Sequence, residues 1–460
     1  MNTHSVDNLS TYIREQFVGS WQASKRTEKP LWLVEHLVLP RRDLLGLVDQ
    51  FPDAWLLNEA SGARLGIGVA QRWNYSGRDA WVAWKRQWTR LTTLENLDPT
   101  LEVAGGVAFS LDDTAGREPW ATFPRMSWTL PAVLLEDAPD GLKTTLVARV
   151  DASLPMAPVE AYYQSLMEII TRPARPRAYE NPTIIDYRST PNHAEWCRLV
   201  ESAVRTIQSQ DLDKVVLARA VSTRFDTPLS ISAILEHLVS ANPDAHVFGL
   251  RMQSRTFLGA TPELLVETDG PDIFTMALAG SAPRGDTPHQ DHLLAQNLLT
   301  HQKNLMEHEA VKKHILSVMA GSSRDIQAPQ NPAIKRLPTV QHLFTPISAK
   351  FQPDRTVWDL AEALGPTPAV GGHPVAPAVD WILNHEPFDR GWYAGIVGHV
   401  ALNGDGKLLV ALRSALIDGA DATLFGGCGI MGQSRPEEEW VESQWKIQSM
   451  LQAMGVEDQL

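Results

Sequence analysis

One lysine in a β-branched run, and carboxylates at helical spacing, are the residues of this sequence best suited to chemistry. Lys214 lies in DKVVLARAV (213–221), on one strand face with Val216 and Ala218. An amine on an inward face loses hydration, which disfavours its charge and makes it a base near neutral pH. At a strand end the same side chain reaches water and stays an ordinary lysine. Glu263 follows Thr261 and Pro262 in LGATPELLVE. A carboxyl in an apolar pocket keeps its proton and serves as an acid; at a strand edge it is a solvated carboxylate. Asn304 and Glu307 in QKNLMEHEAVKKHI are three apart, and Glu439 and Glu442 in RPEEEWVESQWK repeat that spacing. Residues at i and i+3 share a helical face. Two such faces meeting would suit a hard cation such as Mg²⁺, which takes a few carboxylates, several waters and an anionic ligand. Acidic helix faces are usually just solvated, and a strand-end lysine usually reaches water, so residue type and spacing alone do not make this a site.

Other motifs fail on inspection. Gly427, Gly429 and Gly432 match G-x-G-x-x-G. A dinucleotide fingerprint, however, opens a βαβ unit and needs an acidic residue on a later strand. Here the chain is nearly finished, and Gln433–Pro436 separate the glycines from the next helix. A nicotinamide-dependent oxidoreductase is therefore the weaker reading. His308-Glu309 begins a zincin motif, but position 312 is Lys. No P-loop and no G-x-S-x-G elbow occur. Cys428 has no base placed beside it by sequence and reads as a buried structural thiol.

The elements that must position these residues alternate between strands and helices. Strands are expected at 31–40, 53–60, 65–73, 105–111 and 142–150, and helices at 79–93 and 157–170. Trp81, Trp84, Trp88 and Leu91 recur at helical spacing and read as core. Residues 171–192 carry four prolines and read as a connector. Beyond it come a helix at 193–208 and the Lys214 strand. A strand pair follows in AHVFGLRM and TFLGATPELLVE, then long helical periodicity over 291–318 and a Pro-containing loop at 322–338. WYAGIVGHVAL and KLLVALRSALI form a hairpin about Asn403–Gly406. ATLFGGCGIM is a strand and EEEWVESQWKIQSML a final helix. This order favours an α+β fold.

Composition narrows the partners. Of 460 residues, 43% are hydrophobic and 21% charged, a globular balance. Lys and Arg number 41 against 54 Asp and Glu, leaving a net charge of −13. An acidic surface disfavours nucleic acid and anionic membranes. Two cysteines, Cys197 and Cys428, make neither a disulfide framework nor a cysteine-rich zinc site. The polar N-terminus lacks a signal-peptide core, and no apolar run approaches ~18 residues. A cytoplasmic location is expected.

The blocks DKVVLARAV, LGATPELLVE, LAGSAPRG, KNLMEHE, VQHLFTPI, GPTPAVGGHP, EPFDRGWYAGIVG, VALRSALI, FGGCGIM and EEEWVESQWK stand in order over residues 193–460. Together they resemble the chorismate-utilising enzymes, and more closely the isochorismate synthases of menaquinone and siderophore pathways. The first 170 residues resemble that family loosely, mainly through GGVAF. The resemblance implies a single two-lobed α+β fold of layered antiparallel sheets covered by helices. Residues 1–175 would form its variable N-terminal part and 193–460 its chorismate-binding catalytic region. Lys214 then resembles the base that activates water, and Glu263 the acid that protonates the departing hydroxyl. Glu307 and Glu442 resemble Mg²⁺ ligands, with Glu439 beside them. Arg413 and Lys446 resemble cations that hold substrate carboxylates. Gly427 and Gly429 fall where backbone N–H groups approach a carboxylate, and Ser281, His342 and Tyr393 match cleft-lining positions. Asn304 departs from the acidic residue many relatives carry. Ala369 stands where many salicylate synthases, which go on to eliminate pyruvate, carry threonine. The expected activity is conversion of chorismate to isochorismate, by a monomer or homodimer with no obligatory glutaminase subunit.

Overall fold

The computed structural model describes residues 2–3, 6–93, 95, 97–112, 118–172, 182–209, 211–338 and 340–456. Its strands form two large sheets, and both draw on sequence from either side of residues 171–192. In the first sheet the N-terminal strand Asp53–Glu59 pairs with His246–Met252, whose other edge carries Arg255–Thr261. The order continues through Ser414–Asp418, Asp421–Ile430 and Lys214–Phe225. In the second sheet Glu102–Val107 pairs with Ile396–Ala401. Gly406–Val410, Leu264–Asp269, Asp272–Pro283 and Val340–Phe351 follow in turn. These pairings are antiparallel, so the α+β expectation holds.

Alternation along the strands supplies two cores. Trp55 and Leu57 face one apolar cluster, while Ala54 and Leu56 face the other, as a period of two requires. The first cluster contains Val215 and Phe248 of one sheet and Val103 and Val266 of the other. The second is closed by helices, through Phe17 of Val6–Thr27, Tyr163 of Met156–Thr171, Leu235 of Ile231–Ala241 and Met450 of Pro436–Ala453.

Several expected elements are redrawn. The 65–73 run is two strands, Gly62–Ile67 and Gln71–Tyr75, broken at Gly68, which adopts φ +65°. The 105–111 strand lies at Glu102–Val107. The 291–318 helix is two, Pro288–Thr300 and Gln302–Ala320. The 322–338 loop contains strands Ser323–Gln327 and Ala333–Arg336. Part of the connector is strand Ile184–Thr190, paired with the Lys214 strand, while residues 173–181 lie outside the described residues. The polar N-terminus forms helix Val6–Thr27, with Leu9, Ile13 and Phe17 buried at i, i+4 spacing.

The most consequential redrawing concerns two runs read as continuous strands. TFLGATPELLVE leaves the first sheet after Thr261 and enters the second at Leu264. KLLVALRSALI makes the opposite passage between Val410 and Ser414. The two runs are antiparallel neighbours in both sheets. Glu263 and Arg413 sit in the two crossings. Hydrogen bonds lace the crossings together, from Val410 N–H to Glu263 O at 3.1 Å and from Ala260 N–H to Arg413 O at 3.1 Å. Arg413 takes φ +49°, a left-handed conformation that a non-glycine residue holds only when its surroundings impose it.

The tryptophan stripe is core, as expected. Trp84 is 0% exposed and touches Trp73, Trp88, Trp128 and Trp358 at ring separations of 5.1–6.0 Å. Trp84→Ala should therefore cost roughly 3–5 kcal/mol of stability. Denaturant unfolding checks this, and a variant of parental stability would show that the cluster is not a close-packed core.

Candidate active site

A cleft of about 1000 Å³, including its mouth, opens beside the two crossings. Glu263, Ser281, Glu307, His342, Ala369, Tyr393, Arg413, Gly427, Gly429, Glu442 and Lys446 all line it. Lys214 and Glu439, the remaining two of the expected set, stand just behind that lining. Lys214 is 3% exposed, and its Nζ donates to Glu307 Oε1 at 2.7 Å. Glu439 is buried, with Oε1 3.8 Å from Nζ of the cleft-lining Lys303.

Backbone register explains how Lys214 reaches the cleft. Its strand pairs with Asp421–Ile430, setting Val216 opposite Gly429 and Ala218 opposite Gly427. A Cβ on Gly429 would lie 2.7 Å from Lys214 Cε and 3.0 Å from Glu307 Oε1. Only glycine leaves room there for the lysine to meet its carboxylate. Gly427 would likewise drive a Cβ to 2.4 Å from Leu217 O, and its own carbonyl accepts from Lys446 Nζ at 2.7 Å. These glycines lie inside a central strand, not in a turn opening a helix, so the dinucleotide reading has no structural footing.

Burial and charge tune the ionisable groups in opposite directions. Glu263 is 5% exposed, and burial pushes its carboxyl up to about 7. A hydrogen bond from Thr367 Oγ1 at 3.1 Å and the charge of Lys214 hold back that rise. Burial also opposes the charge on Glu442, but Lys446, Lys303 and Arg413 outweigh it and keep this carboxyl below its usual range. Glu439 moves the other way, raised by burial and then by the charge of Glu442. Lys446 donates to Glu442 Oε1 at 2.8 Å, and that charge outweighs burial and raises the amine. Burial, followed by the charges of Arg413 and Lys446, pushes His342 down to about 3. The ring is thus neutral at pH 7, with Nδ1 2.8 Å from Ser281 Oγ and a buried Nε2 that meets no hydrogen-bond geometry among the described residues. Arg413 lines the cleft, and among the described residues its guanidinium has no hydrogen-bond partner. Tyr393 stacks on Phe425 at 5.1 Å, and burial raises its phenol.

Four contributors were not foreseen. Thr367 lies in the same GPTPAVGG loop as Ala369, but only packing shows that its hydroxyl meets Glu263. Lys303 is adjacent to Asn304 and lines the cleft with it. Glu386 and Arg390, in EPFDR, form a buried pair at 2.6 Å. Arg390 donates to Val216 O and Val370 O, and Glu386 Oε1 accepts from Ala218 N–H, so the pair fastens the Lys214 strand to the loop above it. As expected, Cys428 is buried; its Sγ donates to Glu439 O, and burial raises the thiol well above its ordinary value.

Known proteins place this arrangement. The family described as chorismate binding enzymes matches residues 53–455. The isochorismate synthase MenF of Bacillus subtilis is 34% identical over 357 residues, covering 77% of this chain and 74% of that protein. The salicylate biosynthesis isochorismate synthase of Pseudomonas aeruginosa is 38% identical over 297 residues, 64% of this chain and 62% of its relative. Among solved structures, the menaquinone-specific isochorismate synthase MenF of Escherichia coli superposes with a TM-score of 0.79. It covers 96% of this chain and 100% of that one at 24% identity, a likeness of fold. With a match spanning most of its length and a cleft of this make-up, the chain belongs to the chorismate binding enzyme family.

Proposed function

We propose that this protein is an isochorismate synthase, an isomerase that interconverts chorismate and isochorismate. One observation carries the reading. A buried lysine and a buried glutamate whose carboxyl is pushed up to about 7 serve the same cleft, near enough for the lysine's charge to act on the glutamate. The names of the B. subtilis and P. aeruginosa relatives support it.

Chorismate is a dianion, with one carboxylate on its ring and one on an enolpyruvyl arm. Arg413, with no hydrogen-bond partner among the described residues, supplies charge for one carboxylate. Lys446, held by Glu442 and Gly427 O, supports it. Neutral His342 offers its Nε2, which meets no hydrogen-bond geometry among the described residues. Lys214 takes a proton from water as the oxygen bonds to C2. The ring double bond shifts, and the C4 oxygen departs as water with a proton from Glu263. Oxygen is gained at C2 and lost at C4, so no redox equivalent is needed. The base role requires Lys214 to be uncharged at the moment of attack, so its bond to Glu307 must give way when the site fills. Ala369 presents a methyl, which cannot hold a carboxylate by hydrogen bonding, so release of isochorismate is favoured over pyruvate elimination.

Glu307 and Glu442, with Glu439 beside them, fit a Mg²⁺ ion. All three offer hard oxygen donors, and Lys214, Lys446 and Lys303 respectively balance their charge. Glu307 and Glu442 line the cleft and Glu439 stands behind them, so a metal held there would complete its shell with water and substrate oxygens. When bound, Mg²⁺ would act as a Lewis acid on the ring carboxylate. Lys214 as water activator argues for a chain that works without a glutaminase, as monomer or homodimer. No helix among the described residues is long and apolar enough to cross a membrane.

Lys214→Ala should lower turnover of chorismate by roughly 100- to 10,000-fold, the usual worth of one acid–base group, while circular dichroism stays parental. Near-normal turnover would remove Lys214 from the base role. The pH profile tests Glu263. Its acid form is lost as pH rises through about 7 in the free enzyme, so kcat/KM should fall above that point. Thr367→Val removes a bond that favours the ionised carboxylate, so the falling limb should move to higher pH. A limb that stays put or moves down would mean that another group is the acid.

A further inference from the structure

The helix that carries Glu439, Glu442 and Lys446 begins at Pro436 and packs along helix His193–Gln208. At the start of that contact, away from the cleft lining, three side chains of unlike chemistry converge. His193 Nε2 lies 2.9 Å from Glu437 Oε2. Cys197 Sγ lies 3.9 Å from the same nitrogen and 3.8 Å from Glu437 Oε1. Among the described residues this is the group whose three ligand atoms all fall within 4.8 Å of one another.

We propose that His193, Cys197 and Glu437 form a binding site for a thiophilic divalent cation of the Zn²⁺ class. The separations suit it. Zinc takes nitrogen and carboxylate oxygen near 2.0–2.2 Å and thiolate near 2.3 Å in tetrahedral array, which sets neighbouring ligand atoms about 3.3–3.7 Å apart. His193 Nε2 lies nearest Glu437 Oε2 and Cys197 Sγ nearest Oε1, so side-chain rotation must bring one of those oxygens, the nitrogen and the sulfur, already within 4.8 Å of one another, to that spacing. One thiolate, one imidazole and one carboxylate select zinc or cobalt over magnesium or calcium. The donor set is thus distinct in kind from the all-oxygen carboxylates of the cleft.

The ligands are largely preformed. His193 and Cys197 are four apart on one helix and share a face. The helix start is fixed by a capping box between Asn192 and Glu195. The His193 ring meets Trp440 edge-on at 5.0 Å, and Trp440 itself packs against the Arg219 guanidinium at 3.8 Å. Glu437 projects from the first turn of the last helix. His193 and Glu437 are exposed and Cys197 is half-buried, so an ion reaches them from solvent and a water takes the fourth position. Binding converts the Cys197 thiol to thiolate and releases its proton to solvent. A bound ion adds a covalent-strength link to two helices that already meet here through the His193–Glu437 pair and the Trp440 ring contacts, and so ties down the first turn of the helix bearing the cleft carboxylates.

Titration of the metal-stripped full-length protein with Co²⁺ tests this. One equivalent should produce a near-ultraviolet thiolate-to-cobalt charge-transfer band, which Zn²⁺ abolishes and excess Mg²⁺ leaves intact. Cys197→Ser and His193→Ala should each lose the band. With excess Mg²⁺ present to occupy the cleft carboxylates, added Zn²⁺ should raise the melting temperature of the parent but of neither variant. Both variants, measured without zinc, should melt near the parent. Absence of the band, or its survival in Cys197→Ser, would show that the three side chains are only a charged pair beside a thiol.

Discussion

Everything in the cleft depends on two neighbouring strands that leave one sheet and enter the other together. A strand pair can change sheets only if its backbone groups stay satisfied through the break, because buried unpaired N–H and C=O groups are costly. Here the break is laced by Val410 N–H to Glu263 O, Ala260 N–H to Arg413 O, and Thr261 Oγ1 to Val410 O. The crossing fixes an acid and a cation by backbone geometry rather than by flexible side-chain reach. The left-handed backbone of Arg413 is a local cost of that arrangement.

The electrostatics follow from burial. A chain with net charge −13 still presents Arg413, Lys446 and Lys303 to its cleft, alongside carboxylates that each hold a lysine. Buried ions are tolerated when paired, and breaking such a pair costs about 3–5 kcal/mol. The Glu386–Arg390 pair shows the same principle in a structural role, clamping the Lys214 strand against the loop that carries Thr367 and Ala369. Glu263 differs, since its nearest polar partner is a neutral hydroxyl. Desolvation therefore wins, and the carboxyl holds its proton to near neutrality.

Much of this was legible in the residues, and the failures have physical causes. Periodicity puts Lys214 on an apolar strand face and spaces the glutamates along helices but leaves their solvated readings open; the family resemblance singles them out, and the structure gathers them about one cleft. The crossings at Glu263 and Arg413 were hidden because an apolar run that switches sheets looks the same as one that stays. Gly68 broke a strand that pattern alone joined. The N-terminal helix was missed, although Leu9, Ile13 and Phe17 carried its signal, because the charged residues around them dominated the reading. Thr367, Lys303 and the Glu386–Arg390 pair lie in loops or beside better-marked neighbours, and their partners are distant in sequence, so only packing reveals them.

The most direct measurement follows the fate of chorismate itself. The protein is incubated with chorismate and Mg²⁺, the products are resolved by NMR, and pyruvate is followed by a coupled assay. Isochorismate approaching equilibrium with chorismate, without pyruvate, is the predicted result. Pyruvate released in proportion to chorismate consumed, or no hydroxyl transfer at all, would contradict the account.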